Sequence, residues 1–139
     1  MFRATDPNAT KTIKHPADQD AEFDISISMS REDRTRYSQE LVGLGKESSL
    51  EQQFSLWEKI AKKHTKGIRG VESSDGTPVS ANDMDKAMRV LKEVRVDGYE
   101  NLAVWLGQMI YAESVLTGEE KKRFLSLLTM DSMSNTERA

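Results

Sequence analysis

Hydrophobic residues along this chain follow two spacings, which predict one clear strand near the start and several helices after it. Residues 21–29, AEFDISISM, alternate apolar side chains with polar or charged ones. The apolar positions are Phe23, Ile25, Ile27 and Met29. A period of two is typical of a strand with one buried face and one solvated face. Because a single strand needs partners, we expect it to pair with a short strand at 10–14 and with the segment 66–72.

Apolar residues at helical spacing predict five helices in the rest of the chain. The predicted helices cover residues 31–42, 50–64, 82–94, 98–116 and 119–128. Each predicted start carries a capping residue, followed three positions later by an acidic residue or glutamine. These pairs are Ser30 with Asp33, Ser49 with Gln52, Ser80 with Asp83, Asp97 with Glu100, and Thr117 with Glu120.

The predicted helix 98–116 is the most apolar segment of the chain. Its broad apolar stripe includes Trp105 and Met109, which predicts burial on more than one side. The helix is therefore expected to be either the central helix or a contact between copies. Gly107 lies in its interior, where glycine costs about 1 kcal/mol relative to alanine. A close approach of another helix would explain this glycine.

Together these patterns predict an α+β fold that is mostly α-helical, with about five helices and a small N-terminal antiparallel sheet or hairpin. The chain has 139 residues, a length that suits one domain. We expect residues 1–20 to form a flexible polar arm, 21–128 a single domain, and 129–139 a flexible tail.

Composition narrows the possible functions. The formal net charge is -3, with 20 Lys and Arg against 23 Asp and Glu, which argues against a nucleic-acid-binding protein. The chain has no cysteine, so disulfides, thiolate metal sites and cysteine nucleophiles are excluded. No run approaches the roughly 18 apolar residues of a membrane span, and the first residues lack the apolar region of a secretory signal.

No pattern of catalytic residues emerges, so the sequence predicts no enzyme, no metal and no cofactor. The two histidines, His15 and His64, lack the spacing to other ligands that a metal site requires. Acidic residues cluster at 18–24, but no compact Asp-rich loop with a central glycine accompanies them, and a solvated strand edge is expected. Arginines at 31, 34 and 36 alternate with acids, which favours a mixed surface over a phosphate site.

The segment 65–83 predicts a short extended arm, a tight turn and a helix start. Asp75 can accept a hydrogen bond from its own backbone, and Gly76 tolerates a positive φ, so the two residues predict a turn. Pro78 has no amide donor, which places the returning segment at an edge or outside any ladder.

The sequence GVESSDGTPV at 70–79 resembles a turn motif of small phage tail assembly chaperones, with the pattern G-v-x-d-x-D-G-x-P-v. The strand, the helix carrying Trp57 and the helix after the turn extend this resemblance over residues 23–109. Ile68 stands where the family often has tryptophan, and the helices beyond 98 extend further than the pattern requires.

This resemblance implies a non-enzymatic protein that binds the long, apolar, helical tape measure protein and keeps it soluble in the cytoplasm of an infected bacterium. Self-association would accompany that role. Exposed apolar side chains on helices would then supply the contacts. The candidate contact residues are Met84, Met88, Trp105, Met109, Phe124, Leu125 and Leu128, and Asp75, Gly76 and Pro78 form the turn motif.

Two other classes remain open. One is a structural virion component, such as a neck or tail protein, whose N-terminal arm adds a strand to a neighbouring copy. The other is a small inhibitor or regulator that binds a host protein or nucleic acid, for which salt-sensitive DNA binding would be diagnostic. For the helix 82–94, whose methionines could line a binding groove, an ordinary core is the favoured interpretation.

Overall fold

Three strands and five helices make up the chain in a computed structural model, which describes residues 1–3, 6–44, 49–116 and 118–126. In order they are β1 (Thr10–His15), β2 (Asp18–Ser26), α1 (Arg31–Gly43), α2 (Leu50–His64), β3 (Thr65–Arg69), α3 (Met84–Leu91), α4 (Leu102–Ser114) and α5 (118–126). The predicted α+β fold, largely helical with a small antiparallel sheet near the N-terminus, is confirmed.

The sheet has the strand order β1-β2-β3, with both pairs antiparallel. Thr12 lies opposite Asp24, and Phe23 lies opposite Ile68. Both predicted partners of the central strand are therefore confirmed. The strand itself begins three residues earlier than predicted and ends at Ser26, because its pairing, and not its apolar alternation alone, sets its limits.

Residues 10–20 differ from the flexible arm predicted for 1–20, since they supply β1 and the start of β2. The sequence predicted the strand at 10–14 but not its extension to His15 or the start of β2 at Asp18, and most side chains of these segments point to solvent. Only Ile13 and His15 of β1 are even partly buried. Backbone hydrogen bonding to β2 orders the segment where side-chain burial contributes little.

The core lies between the sheet and the pair α2 and α4, with α4 as the central helix. Nine of the thirteen residues of α4 are buried. A side chain at Gly107 would collide with the backbone carbonyl oxygen of Trp57 in α2. The close helix approach expected at Gly107 is confirmed, and the glycine is required by this contact.

Helix starts follow the predicted caps in two cases. The Ser30 hydroxyl accepts a hydrogen bond from the Asp33 amide, and Ser49 with Gln52 forms a complete capping box. As a result, α1 and α2 begin at the predicted residues. The caps predicted at Ser80 and Asp97 are wrong.

The helices α3 and α4 are instead capped by Asp83 and Asn101, whose side chains accept from Lys86 and Val104 amides. Turns before each helix explain the difference. Ser80 accepts a hydrogen bond from the Asn82 amide within a turn. A tight turn at 96–99, with Gly98 at φ 84°, uses the Asp-Gly pair. The cap predicted at Thr117 lies outside the described residues.

Candidate protein-binding surface

Two of the predicted contact residues belong to the core of the monomer. Trp105 is 4% exposed, and its ring centroid lies 4.6 Å from that of His15 and 5.9 Å from that of Phe23. Met88 is 5% exposed. Neither side chain is available to a partner while the domain stays folded. This corrects the prediction for both residues, and the interpretation of helix 82–94 as ordinary core holds for Met88.

Met84 and Met109 are half-buried and pack against the same core. Phe124 of α5 is also half-buried. Its ring centroid lies 6.2 Å from that of Trp57 and 5.8 Å from that of Tyr111, so it fastens α5 to α2 and α4. Leu125 is half-buried as well, and Leu128 lies outside the described residues.

The turn motif is exposed and satisfies its own polar groups. Asp75 accepts hydrogen bonds from the Ser73 hydroxyl and from the Thr77 amide, the latter at 3.1 Å. These bonds, that from Ser73 foremost, lower the pKa of Asp75 to about 2. Gly76 has φ 84°, and Pro78 forms an isolated antiparallel bridge with Glu72. The Asp75 carboxylate therefore has a structural role, since it holds the turn.

A buried polar group joins α1 to the end of α2. The Tyr37 hydroxyl and Nε2 of His64 are 3.1 Å apart, and Oδ2 of Asp33 lies 3.9 Å from the same nitrogen. Burial of the imidazole lowers the pKa of His64 to about 4, against the opposing field of Asp33. His64 is therefore neutral at physiological pH. The carboxylate of Asp33 also pairs with Lys63 and Arg36, at 3.0 and 2.7 Å.

His15 closes the β1–β2 hairpin. Its Nδ1 accepts a hydrogen bond from the Ala17 amide at 3.0 Å. Burial lowers its pKa, which Asp18 opposes. Each histidine is thus engaged in packing and hydrogen bonding at its own location. Within the part of the chain that the structure describes, no three His, Cys, Asp or Glu side chains lie close enough together to hold a metal ion.

The predicted acidic edge at 18–24 is in fact on the central strand, where Arg69 of β3 pairs with two of its four acids. Nη1 and Nη2 of Arg69 contact the two carboxylate oxygens of Asp24 at 2.8 and 2.9 Å, and Nε contacts Glu22 at 3.1 Å. The Arg69 hydrogen bonds, followed by that from Thr12, lower the pKa of Asp24 to about 2. Asp24 and Glu22 therefore form ion pairs with Arg69 that link β2 to β3.

A shallow, open groove that the sequence did not predict runs along the outer face of α1, and we call it the α1 groove. It is lined by Arg31, Arg34, Thr35, Ser38, Gln39, Val42, Gly43 and Val115. Most of its exposed lining is apolar. In the sequence, the lining residues at 31, 34, 35, 38, 39 and 42 recur at helical spacing. Five of these six residues are polar or charged, so they form no apolar stripe that would predict a binding surface.

Apolar side chains are exposed where α1 ends and α2 begins. Val42 is 84% exposed and Leu50 is 66% exposed. The only other large apolar side chains exposed to this degree among the described residues are Met1 and Phe2. This end of the helix pair is therefore the part of the folded domain best suited to bind another apolar surface.

No helix among residues 1–3, 6–44, 49–116 and 118–126 has the length and apolar character that a bilayer crossing requires. Comparison with protein-family models, with curated proteins and with solved structures gave no match.

Proposed function

We propose that this chain is a non-enzymatic protein-binding domain that acts as a phage tail assembly chaperone. In this role it would bind the apolar, helical tape measure protein and keep it soluble in the infected cell until the tail tube forms around it. The observation that carries the proposal is the exposure of Val42 and Leu50 at the junction of α1 and α2.

Burial of these two side chains by a partner would contribute favourable free energy to binding. Full burial of a valine or leucine side chain is worth about 1.5–3 kcal/mol, and neither residue has gained that stabilisation in the monomer. A helical client with an apolar stripe would cover both. Exposed apolar residues of this kind are the usual basis of helix recognition by a groove.

The resemblance supplies the specific class of client. The turn on which it rests is formed as an exposed hairpin-like segment between β3 and α3, with Gly76 at positive φ and Pro78 bridged to Glu72. Residues 23–109 contain, in order, a strand, two helices, a short strand, the turn and two further helices. The resemblance rests on the first strand, the helix carrying Trp57, the turn and the helix after it.

The test is the mass in solution, by light scattering, of the purified chain alone and co-expressed with a tape measure segment. We expect the segment, which is insoluble alone, to form one soluble complex of defined mass with the chain. A chain that leaves the segment insoluble, with no mixed species, would overturn the proposal.

A structural virion component is the second candidate, favoured by one observation. β1 lies at the edge of the sheet, and Thr10, Lys11 and Thr12 are exposed, so a strand from a neighbouring copy could add there. A fixed ring that forms without the tape measure segment and ignores it would favour this function. Two exposed lysines on this edge, Lys11 and Lys14, disfavour such pairing, and the chaperone is therefore preferred.

A further inference from the structure

We infer that the α1 groove binds one amphipathic helix of the partner protein, and that this helix carries carboxylates where it meets Arg31 and Arg34. The inference rests on the proposed function for the source of the helix, a protein client. It adds the location of the contact and the charge that the client must carry.

The length of the groove matches that of a short helix. The α1 residues between Arg31 and Val42 that line it lie on one face of the helix, and these eleven residue steps span about 17 Å at 1.5 Å per residue. Three turns of a second helix have the same length. Val115, at the C-terminal cap of α4, lines the groove together with α1.

The charged side chains that line the groove are all basic. Arg31 and Arg34 lie toward its N-terminal end, and no carboxylate lines it. Neither arginine forms an ion pair within the described part of the chain, whereas Arg36 of the same helix pairs with Asp33 at 2.7 Å. Two guanidinium groups without a carboxylate partner favour an acidic ligand, because arginine binds carboxylates through two parallel hydrogen bonds.

Two copies that pair through this same face of α1 do not supply the matching charge. In an α1–α1 pair, the same face would offer Arg31, Arg34, neutral polar residues and Val42 to its counterpart. The acidic residue Glu40 is engaged elsewhere, at 2.7 Å from Lys59. Like charges across a contact disfavour association. We assign the groove to a helix of a different protein, with an apolar stripe that ends in aspartate or glutamate next to Arg31 and Arg34.

The probe is a displayed library of three-turn to four-turn amphipathic helices with randomised charges, selected against the intact chain. We expect the enriched helices to share an apolar stripe with acidic residues at one end. The variant Val42→Gln should weaken their binding about tenfold, in line with the burial of one valine. The double variant Arg31→Glu, Arg34→Glu should weaken it at least as much.

Matched controls separate the groove from general effects. Phe2→Gln changes an apolar, exposed residue outside both the groove and the junction of α1 and α2, and Lys92→Glu with Arg95→Glu makes the same change in net charge elsewhere. We expect both controls to bind the enriched helices as the unmodified chain does. Helices whose acids are replaced by lysine should bind the Arg31→Glu, Arg34→Glu variant and not the unmodified chain. Thermal unfolding checks that each variant is folded.

Three results would overturn the inference: no enrichment at all, enriched helices without acidic residues, or equal binding by Val42→Gln and the Phe2→Gln control. Failure of the groove inference and failure of the proposed chaperone function give different results. If the tape measure segment forms a soluble complex with every groove variant, the chaperone function stands and the client binds another surface. If the segment forms no complex while acidic helices bind the groove, the groove stands and the client is a different protein.

Discussion

Gly107 shows how one residue determines the distance between two helices. A Cβ at this position would meet the carbonyl oxygen of Trp57, which is backbone and cannot rotate away. We expect Gly107→Ala to lower the free energy of unfolding by about 1–3 kcal/mol, as overpacking does elsewhere. Urea denaturation monitored by circular dichroism measures the change.

Gly43 is the matched control, since a Cβ there would meet nothing within 4 Å. It is the last residue of α1, and alanine is favoured over glycine in helices by roughly 0.5–1 kcal/mol. The Gly43→Ala variant should therefore be as stable as the unmodified chain or more stable. Equal destabilisation by both substitutions would contradict the role assigned to Gly107.

His64 makes stability depend on pH. Its pKa is about 4 in the folded chain and 6.5 when exposed, because burial disfavours the imidazolium. Above pH 6.5 both states are neutral and the effect is absent. As pH falls from 6.5 to 4, the unfolded chain binds the proton first, so the free energy of unfolding decreases by up to about 1.4 kcal/mol per pH unit.

The variant His64→Gln keeps a polar partner for Tyr37 and does not titrate. We expect its stability to fall less steeply between pH 6.5 and 4 than that of the unmodified chain, in chemical denaturation at a series of pH values. His15 contributes a residual slope of the same sign, since burial lowers its pKa also. Asp33 acts in a separate window, below pH 3.8, because its own pKa is lowered. Identical slopes would show that His64 is not a buried neutral group.

At the scale of elements, Arg69 joins β3 to β2 by its two hydrogen bonds with Asp24. We expect Arg69→Gln to raise the pKa of Asp24 from about 2 toward the ordinary value of 3.8, since the first cause of its depression is removed. Carboxyl chemical shifts in an NMR titration report this pKa directly. Lys66→Gln, an exposed residue of the same strand, should leave it unchanged.

The sequence predicted elements well where one local signal acted alone. Ser30 and Ser49 cap α1 and α2 at the predicted residues, and each hydroxyl accepts a hydrogen bond from the amide three positions later. The predicted helix start was wrong where a capping signal and a turn signal overlapped in the sequence. The Asp97-Gly98 pair is both a cap and a turn signal, and the turn formed, which delayed α4 until Asn101. The end of β1 and the start of β2 were missed because pairing there is made by backbone groups and leaves little apolar pattern.

At the scale of the whole molecule, the contacts of Phe124 indicate whether α5 belongs to the folded domain or to a partner-binding surface. Its ring packs against Trp57 and Tyr111. We expect Phe124→Ala to lower the free energy of unfolding by about 1–2 kcal/mol, less than the 3–5 of a fully buried phenylalanine because the ring is half-exposed. Thermal and urea unfolding measure it.

Lys122→Ala, an exposed neighbour on the same helix, is the control and should be neutral. A Phe124→Ala chain with unchanged stability and weakened client binding would instead restore Phe124 to the contact surface for which the sequence proposed it. The two outcomes assign the residue to different parts of the molecule.

The candidate surface was less predictable than the fold, and the reason is packing. Periodicity marks an apolar face but not what covers it. Trp105 and Met88 are covered by the sheet and neighbouring helices, while Val42, in a helix with little apolar pattern, is left open. Only the tertiary arrangement separates these cases, because exposure depends on residues distant in sequence.

The position of β3 in the sheet has a consequence for the folding kinetics. Thr12 and Asp24 of the β1–β2 hairpin are 12 positions apart, whereas the Arg69–Asp24 pair spans 45 and encloses α1 and α2. Closing the longer loop loses more chain entropy, so we expect β3 to join the sheet after the rate-limiting barrier. Substitutions in β3 should then accelerate unfolding and leave the refolding rate nearly unchanged in stopped-flow chevron plots.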